Sequence, residues 1–228
     1  MSRLILIGTV HGDPRGYERG WKWLDRLRPD LVTVEVSPFS LWYRRRHGAS
    51  WQRLLAESLL SLPPGAAAHP AIRRVAAQVA PPFEAVLARD WSRRHGAPWR
   101  PVDLGELSRR HLPAYARELL TPDNLWALLA SEAPGGSLEE FAAKEYRRAR
   151  LACQGPRRRL LPLSAGAWRR ERLLARRLRR LAGRGRRLVH LGGWEHLAPW
   201  EDGGSLWHGV ADLNPLRLLL DEADFLPA

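Results

Sequence analysis

The chain opens on an unbroken apolar run, Leu4-Ile5-Leu6-Ile7, which ends at Gly8 and is followed three residues later by His11. A short continuous apolar run that stops at a turn residue is the pattern of a strand covered on both faces in a parallel sheet. Gly12-Asp13-Pro14 comes next, with Asp13 a candidate helix N-cap and Pro14 a candidate first helical residue. Tyr17, Trp21, Leu24 and Leu27 then recur at helical spacing. Arg28-Pro29-Asp30 stops that helix, because the residue before proline is pushed out of the helical region. Leu31-Val32-Thr33-Val34-Glu35-Val36 predicts a second strand, rich in β-branched residues. Strand, helix and strand in this order form a βαβ unit with a right-handed crossover.

From about 40 to 150 the pattern is mainly helical, broken at Pro63-Pro64-Gly65, Pro81-Pro82 and Pro134-Gly135-Gly136. One strand candidate interrupts it, Trp99 to Leu104, and its Pro101 argues for a sheet edge. Helices are predicted over about 138–152 and 167–182. A second apolar strand, Leu188-Val189-His190-Leu191, runs into Gly192-Gly193-Trp194-Glu195-His196 and repeats the Gly-x-x-His form of the N-terminus. The expected fold is α/β: a mostly parallel sheet flanked by helices, in a single domain over 1–228 with a largely helical insertion.

Composition narrows the function. A hydrophobic fraction of 45% suits a globular chain with a sizeable core. No apolar run approaches the roughly 20 residues of a membrane span, and the N-terminus carries no signal-peptide pattern, so a cytoplasmic protein is expected. The lone Cys153 excludes an internal disulfide and a cysteine zinc cluster. The net charge of +13 raises the question of nucleic acid, but it is almost all arginine, with Lys22 and Lys144 the only lysines. The arginines are scattered, with runs at 44–46, 157–159 and 176–187, and Asn, Gln, Cys and Met are scarce. Arginine-favouring, heat-adapted composition accounts for this better than a nucleic-acid surface, for which no motif is present.

Ligands of open parallel sheets bind beyond the carboxyl ends of the strands. The ionisable residues predicted at those ends are His11, Glu35, Asp103 and His196, with Glu195 beside the last. A Gly-x-x-His match is by itself close to chance; its position directly after two strands gives it weight. Glu35 interrupts an otherwise apolar strand, and a buried carboxylate needs a partner; the alternative is an outward-facing edge position shared with Thr33. Arg170 lies one turn before the Leu174, Leu178 and Leu181 stripe, where an inward guanidinium calls for a carboxylate or an anionic ligand. The alternative there is a side chain snorkelling at a helix end. His190 reads as core, and Trp194 as a candidate pocket wall.

These segments resemble the TraB-type proteins of the TIKI superfamily, which is related to the ChaN and erythromycin-esterase groups. The similarity rests on Gly8-Thr9-Val10-His11, on Pro29-Asp30 followed by the strand ending at Glu35, and on Pro101-Val102-Asp103. It continues through Arg170-Glu171-Arg172-Leu173-Leu174-Ala175 and Gly193-Trp194-Glu195-His196. The TIKI branch implies a divalent-metal-dependent peptidase, the esterase branch metal-free histidine-based hydrolysis, and ChaN haem binding. Glu195 departs from the pattern, which has a small residue there, and the C-terminal membrane segments of many bacterial TraB proteins are absent.

The first expectation is a metal-dependent hydrolase of a peptide, amide or ester bond. His11, Glu35 and His196 would hold a zinc, manganese, iron or cobalt ion. Glu195 or Asp103 would serve as general base or orienting carboxylate, and Arg170 would stabilise an oxyanion. The partner is then a peptide or small molecule. The alternatives are a metal-free histidine hydrolase and a non-enzymatic binder of haem or nucleic acid.

Overall fold

A computed structural model describes residues 3–131, 136–154, 165–183, 186–201 and 203–226. The Pro134-Gly135 helix break and the arginine run at 157–159 lie outside these residues. Five strands form one all-parallel sheet: β1 (Leu4–Thr9), β2 (Leu31–Val34), β3 (Trp99–Pro101), β4 (Leu188–Gly193) and β5 (Leu216–Leu219). Their order is β3-β2-β4-β1-β5, so the last long strand slots between the first two. β3 is an edge strand, which is where its proline costs no ladder bond. The α/β fold expected from the pattern is the fold observed.

One face of the sheet, with Ile5, Ile7, Val34, Val189 and Leu191, packs on helices α1 (Gly16–Leu27), α4 (Phe83–His95) and α7 (Leu138–Gln154). The other face, with Leu4, Leu6, Leu31 and Leu188, packs on α8 (Ala165–Ala182) and the short α9 (Leu206–Gly209). A separate apolar cluster, including Trp51, Ile72, Val75, Leu120 and Leu125, joins α2 (Pro38–Leu60), α3 (Pro70–Val79) and α6 (Pro122–Ala130). A seven-residue helix, α5 (Gly105–His111), follows β3. The stretch expected as an insertion therefore also supplies β3 and two of the helices that cover the sheet. No helix among the described residues is long and apolar enough to cross a membrane.

Three local expectations are corrected. Helix α1 starts at Gly16 rather than Pro14, with Arg15 and not Asp13 at its N-cap; Asp13 is instead a buried acceptor. Its Oδ2 takes hydrogen bonds from Tyr146 Oη at 2.9 Å and Arg19 Nη1 at 2.8 Å, while Oδ1 takes the Arg15 N–H. Strand β2 ends at Val34, not Val36: Val36 N donates to Val34 O at 2.8 Å, closing a tight turn at Glu35. Trp194 is 2% exposed in the core below the sheet edge, not on a pocket wall.

Candidate active site

Because every strand runs the same way, the residues after β1, β2, β3 and β4 emerge at one edge of the sheet. Gly8 pairs with Gly192 and Thr9 with Gly193 in the β1–β4 register, and Glu35 N donates to Leu191 O at 2.9 Å. The two Gly-x-x-His segments are thus neighbours, but offset by one residue. That offset sends their histidines into different surroundings.

His196 goes inward. Its Nε2 lies 2.7 Å from Glu35 Oε1 and its Nδ1 2.6 Å from Glu171 Oε1, the latter a charge contact rather than a straight hydrogen bond. The second oxygen of Glu171 caps α9 by accepting the Leu206 N–H at 2.7 Å. Burial alone would lower the His196 pKa, but Glu35 and Glu171 reverse this and raise it to about 10. His196 is accordingly an imidazolium clamped between two carboxylates.

Glu35 sits at the centre. The turn after β2 places its Oε2 on the Gly193 N–H at 2.7 Å, while Oε1 receives His196 and the Arg170 guanidinium. Burial opposes ionisation, yet His196 and Arg170 hold the carboxyl well below the usual range. β2 is an interior strand, so the outward-facing alternative for Glu35 does not apply. Arg170 also grips Asp103 through Nε and Nη2, both at 2.7 Å, so it faces inward and is bidentate on a carboxylate. Its Nη1 makes no hydrogen bond among the described residues. Gly192 is required beneath this group: a Cβ there would stand 2.9 Å from both Glu35 Oε2 and His190 Nε2. His190 is fully buried, bonded to Thr33 Oγ1 at 3.1 Å, and burial pushes its pKa down to about 4, so it stays neutral.

His11 goes outward. Its Nδ1 lies 2.9 Å from Glu84 Oε1, an oxygen that also accepts from Thr9 Oγ1 at 2.8 Å. The Glu84 side chain is 3% accessible and that of His11 62%, so a buried carboxylate holds one edge of a ring that otherwise faces open space. Glu84 is the main cause that raises the His11 pKa to about 9, and Glu35 and Glu195 add to it. Around Gly193 the groups converge: a Cβ built there would lie 3.0 Å from Glu195 Oε2, 3.6 Å from Glu35 Oε2 and 3.7 Å from His11 Nε2. Glu195 itself is exposed at the rim.

A cleft of about 630 Å³ opens from this edge toward the helices, lined at the strand ends by His11, Glu35 and Asp103 and on the α4 side by Glu84. Its size suits a small organic ligand. All six residues expected to carry chemistry are gathered at this edge, but not as a metal centre. Both nitrogens of His196 face carboxylates, so it has no lone pair to offer an ion shared with His11, and Glu35 Oε1 is already taken by His196 and Arg170. Among the described residues, no group of three or more His, Cys, Asp or Glu side chains is arranged to hold a metal. The expected set His11, Glu35 and His196 does not fit one.

Two site residues escaped the sequence reading. Glu171 falls on the apolar stripe of α8 beside Arg170, a carboxylate on a buried face that could have been noticed. Glu84 reads as an ordinary first-turn acid of α4, favoured at any helix start. In comparisons with known proteins the chain matches no family model, no curated protein and no solved structure.

Proposed function

We propose that this chain is a metal-free hydrolase of ester or amide bonds in which His11 is the general base. The observation that carries the reading is the Glu84–His11 pair: a buried carboxylate fixes Nδ1 while Nε2 is left toward the cleft. This is the orienting logic of carboxylate–histidine catalysis, in which the carboxylate sets the tautomer and the far nitrogen handles the proton. Water seated over Gly193, between His11 Nε2 and Glu35, gives its proton to Nε2 as its oxygen attacks the acyl carbon. The tetrahedral intermediate collapses, and the imidazolium returns the proton to the leaving oxygen or nitrogen. Arg170 Nη1 is the guanidinium donor left for the developing oxyanion. Glu35, charge-balanced by Arg170 and His196, keeps that guanidinium in place. The resemblance of the motif order to the TIKI superfamily and its esterase relatives supports the hydrolase class.

The test is hydrolysis of a panel of nitrophenyl esters and anilides by protein treated exhaustively with a chelator. Full activity after chelation, lost by about 10²–10⁴-fold in His11→Ala, is the expected result. Activity that disappears with the chelator and returns with a divalent ion would instead establish the metal-dependent reading. Failure of the wild-type protein to hydrolyse any of the panel would overturn the proposal.

A further inference from the structure

The charges around the cleft do not balance one another equally. Four carboxylates line it, and each is already satisfied from within the protein. Asp13 is held by Arg19 and Tyr146, Glu84 by Thr9 and His11, Glu35 by Arg170 and His196, and Asp103 by Arg170. Two arginines of the lining, on helices, have no carboxylate partner among the described residues. Arg44 of α2 spends Nη1 on the carbonyls that end α3, with Val79 O at 3.3 Å and Ala80 O at 3.0 Å, and Nε on Ser40 Oγ at 3.3 Å. Among the described residues no carboxylate meets its guanidinium. The guanidinium carbon of Arg74 of α3 lies 5.9 Å from the Phe141 ring, and among the described residues it likewise meets no carboxylate. Arg74 lies one helical turn before Gln78, the residue whose carbonyl Arg44 also contacts, and both arginines line the same cleft.

A half-buried arginine facing a cleft with no anion opposite it has spent desolvation without recovering it, and an incoming anion supplies what is missing. The same lining includes the apolar side chains of Phe83, Leu138 and Phe141. We infer that the cleft takes a substrate with a carboxylate held by Arg44 and Arg74, an apolar body, and the scissile carbonyl beside His11.

This substrate class rests on the hydrolase reading, while the anion site does not, and the test separates them. Hydrolysis of p-nitrophenyl hydrogen glutarate is compared with that of p-nitrophenyl butyrate, and glutarate binding is measured by calorimetry without catalysis. The wild-type protein is expected to favour the glutarate ester in kcat/KM. Arg74→Gln is expected to reduce that preference about 10-fold or more and weaken glutarate binding similarly, with Arg74→Lys recovering part of both. Equal kcat/KM for the two esters, untouched by Arg74→Gln, would overturn the inference and leave the hydrolase standing. Glutarate binding that depends on Arg74, without hydrolysis of either ester, would uphold the anion site and remove the hydrolase. Tighter binding of butyl phosphate than of glutarate would overturn the carboxylate assignment. Arg44 is left unsubstituted because it also caps α3.

Discussion

His11 Nδ1 lies 2.9 Å from Glu84 Oε1, and that carboxylate comes from the first turn of a helix 73 residues away in sequence. The pair joins the end of the first strand to the helical wall of the cleft. If it acts as orienter and base, Glu84→Gln removes the charge that raises the His11 pKa to about 9. The rising limb of the kcat/KM–pH profile should then move from near 9 toward 6.5, with a lower plateau. A limb that stays in place would show that another group titrates.

Stability should run against activity as pH rises. His11 and His196 have folded-state pKa values of about 9 and 10 against an ordinary 6.5, so both favour the folded state most fully below pH 6.5. That contribution is lost as pH climbs through 9 and 10. Glu35 is lowered from 4.5, so its contribution is present above that value and lost on acidification. Thermal melts should therefore give the highest Tm between about pH 5 and 6.5 and a decline toward pH 10. Glu171→Gln should shrink the alkaline decline, since one of the two carboxylates that keep His196 charged is gone. A Tm that stays flat from pH 6.5 to 10 would contradict this account of His196.

The two adjacent glycines should behave differently. In Gly192→Ala the new methyl meets the locked Glu35 carboxylate and the buried His190 ring at 2.9 Å, and overpacking of this kind costs about 1–3 kcal/mol. In Gly193→Ala the tight contact is with the exposed, flexible end of Glu195, and the backbone φ of −53° accepts alanine. Gly193→Ala should keep its urea midpoint yet lose activity, because the methyl occupies the space for the attacking water. Retained activity in that variant would put the water elsewhere.

Arg170 ties β2, β3 and α8 together through Glu35 and Asp103. Arg170→Met leaves Asp103 without its cation and Glu35 with His196 alone, a loss of about 3–5 kcal/mol. Combining it with Asp103→Asn should recover part of that loss, and the double-mutant cycle measures how much. Strict additivity would mean that the bidentate contact contributes nothing.

The sequence by itself determined which segments become strands and which ionisable groups follow them. Continuous apolar runs end where buried strands must end, and in an all-parallel sheet every such end lies on one edge. His11, Glu35, Asp103 and His196 were legible for that reason, and Arg170 because an arginine on an apolar stripe stands out. What each group does was not legible. The repeated Gly-x-x-His suggested two equivalent ligands, but pairing Gly8 with Gly192 rather than Gly193 shifts one segment against the other by a residue. One histidine then lands between Glu35 and Glu171 and is held charged, while the other faces the cleft with Glu84 behind it. Register, and contacts between residues distant in the chain, are properties of the packed sheet and its helices, and only the tertiary structure decides them.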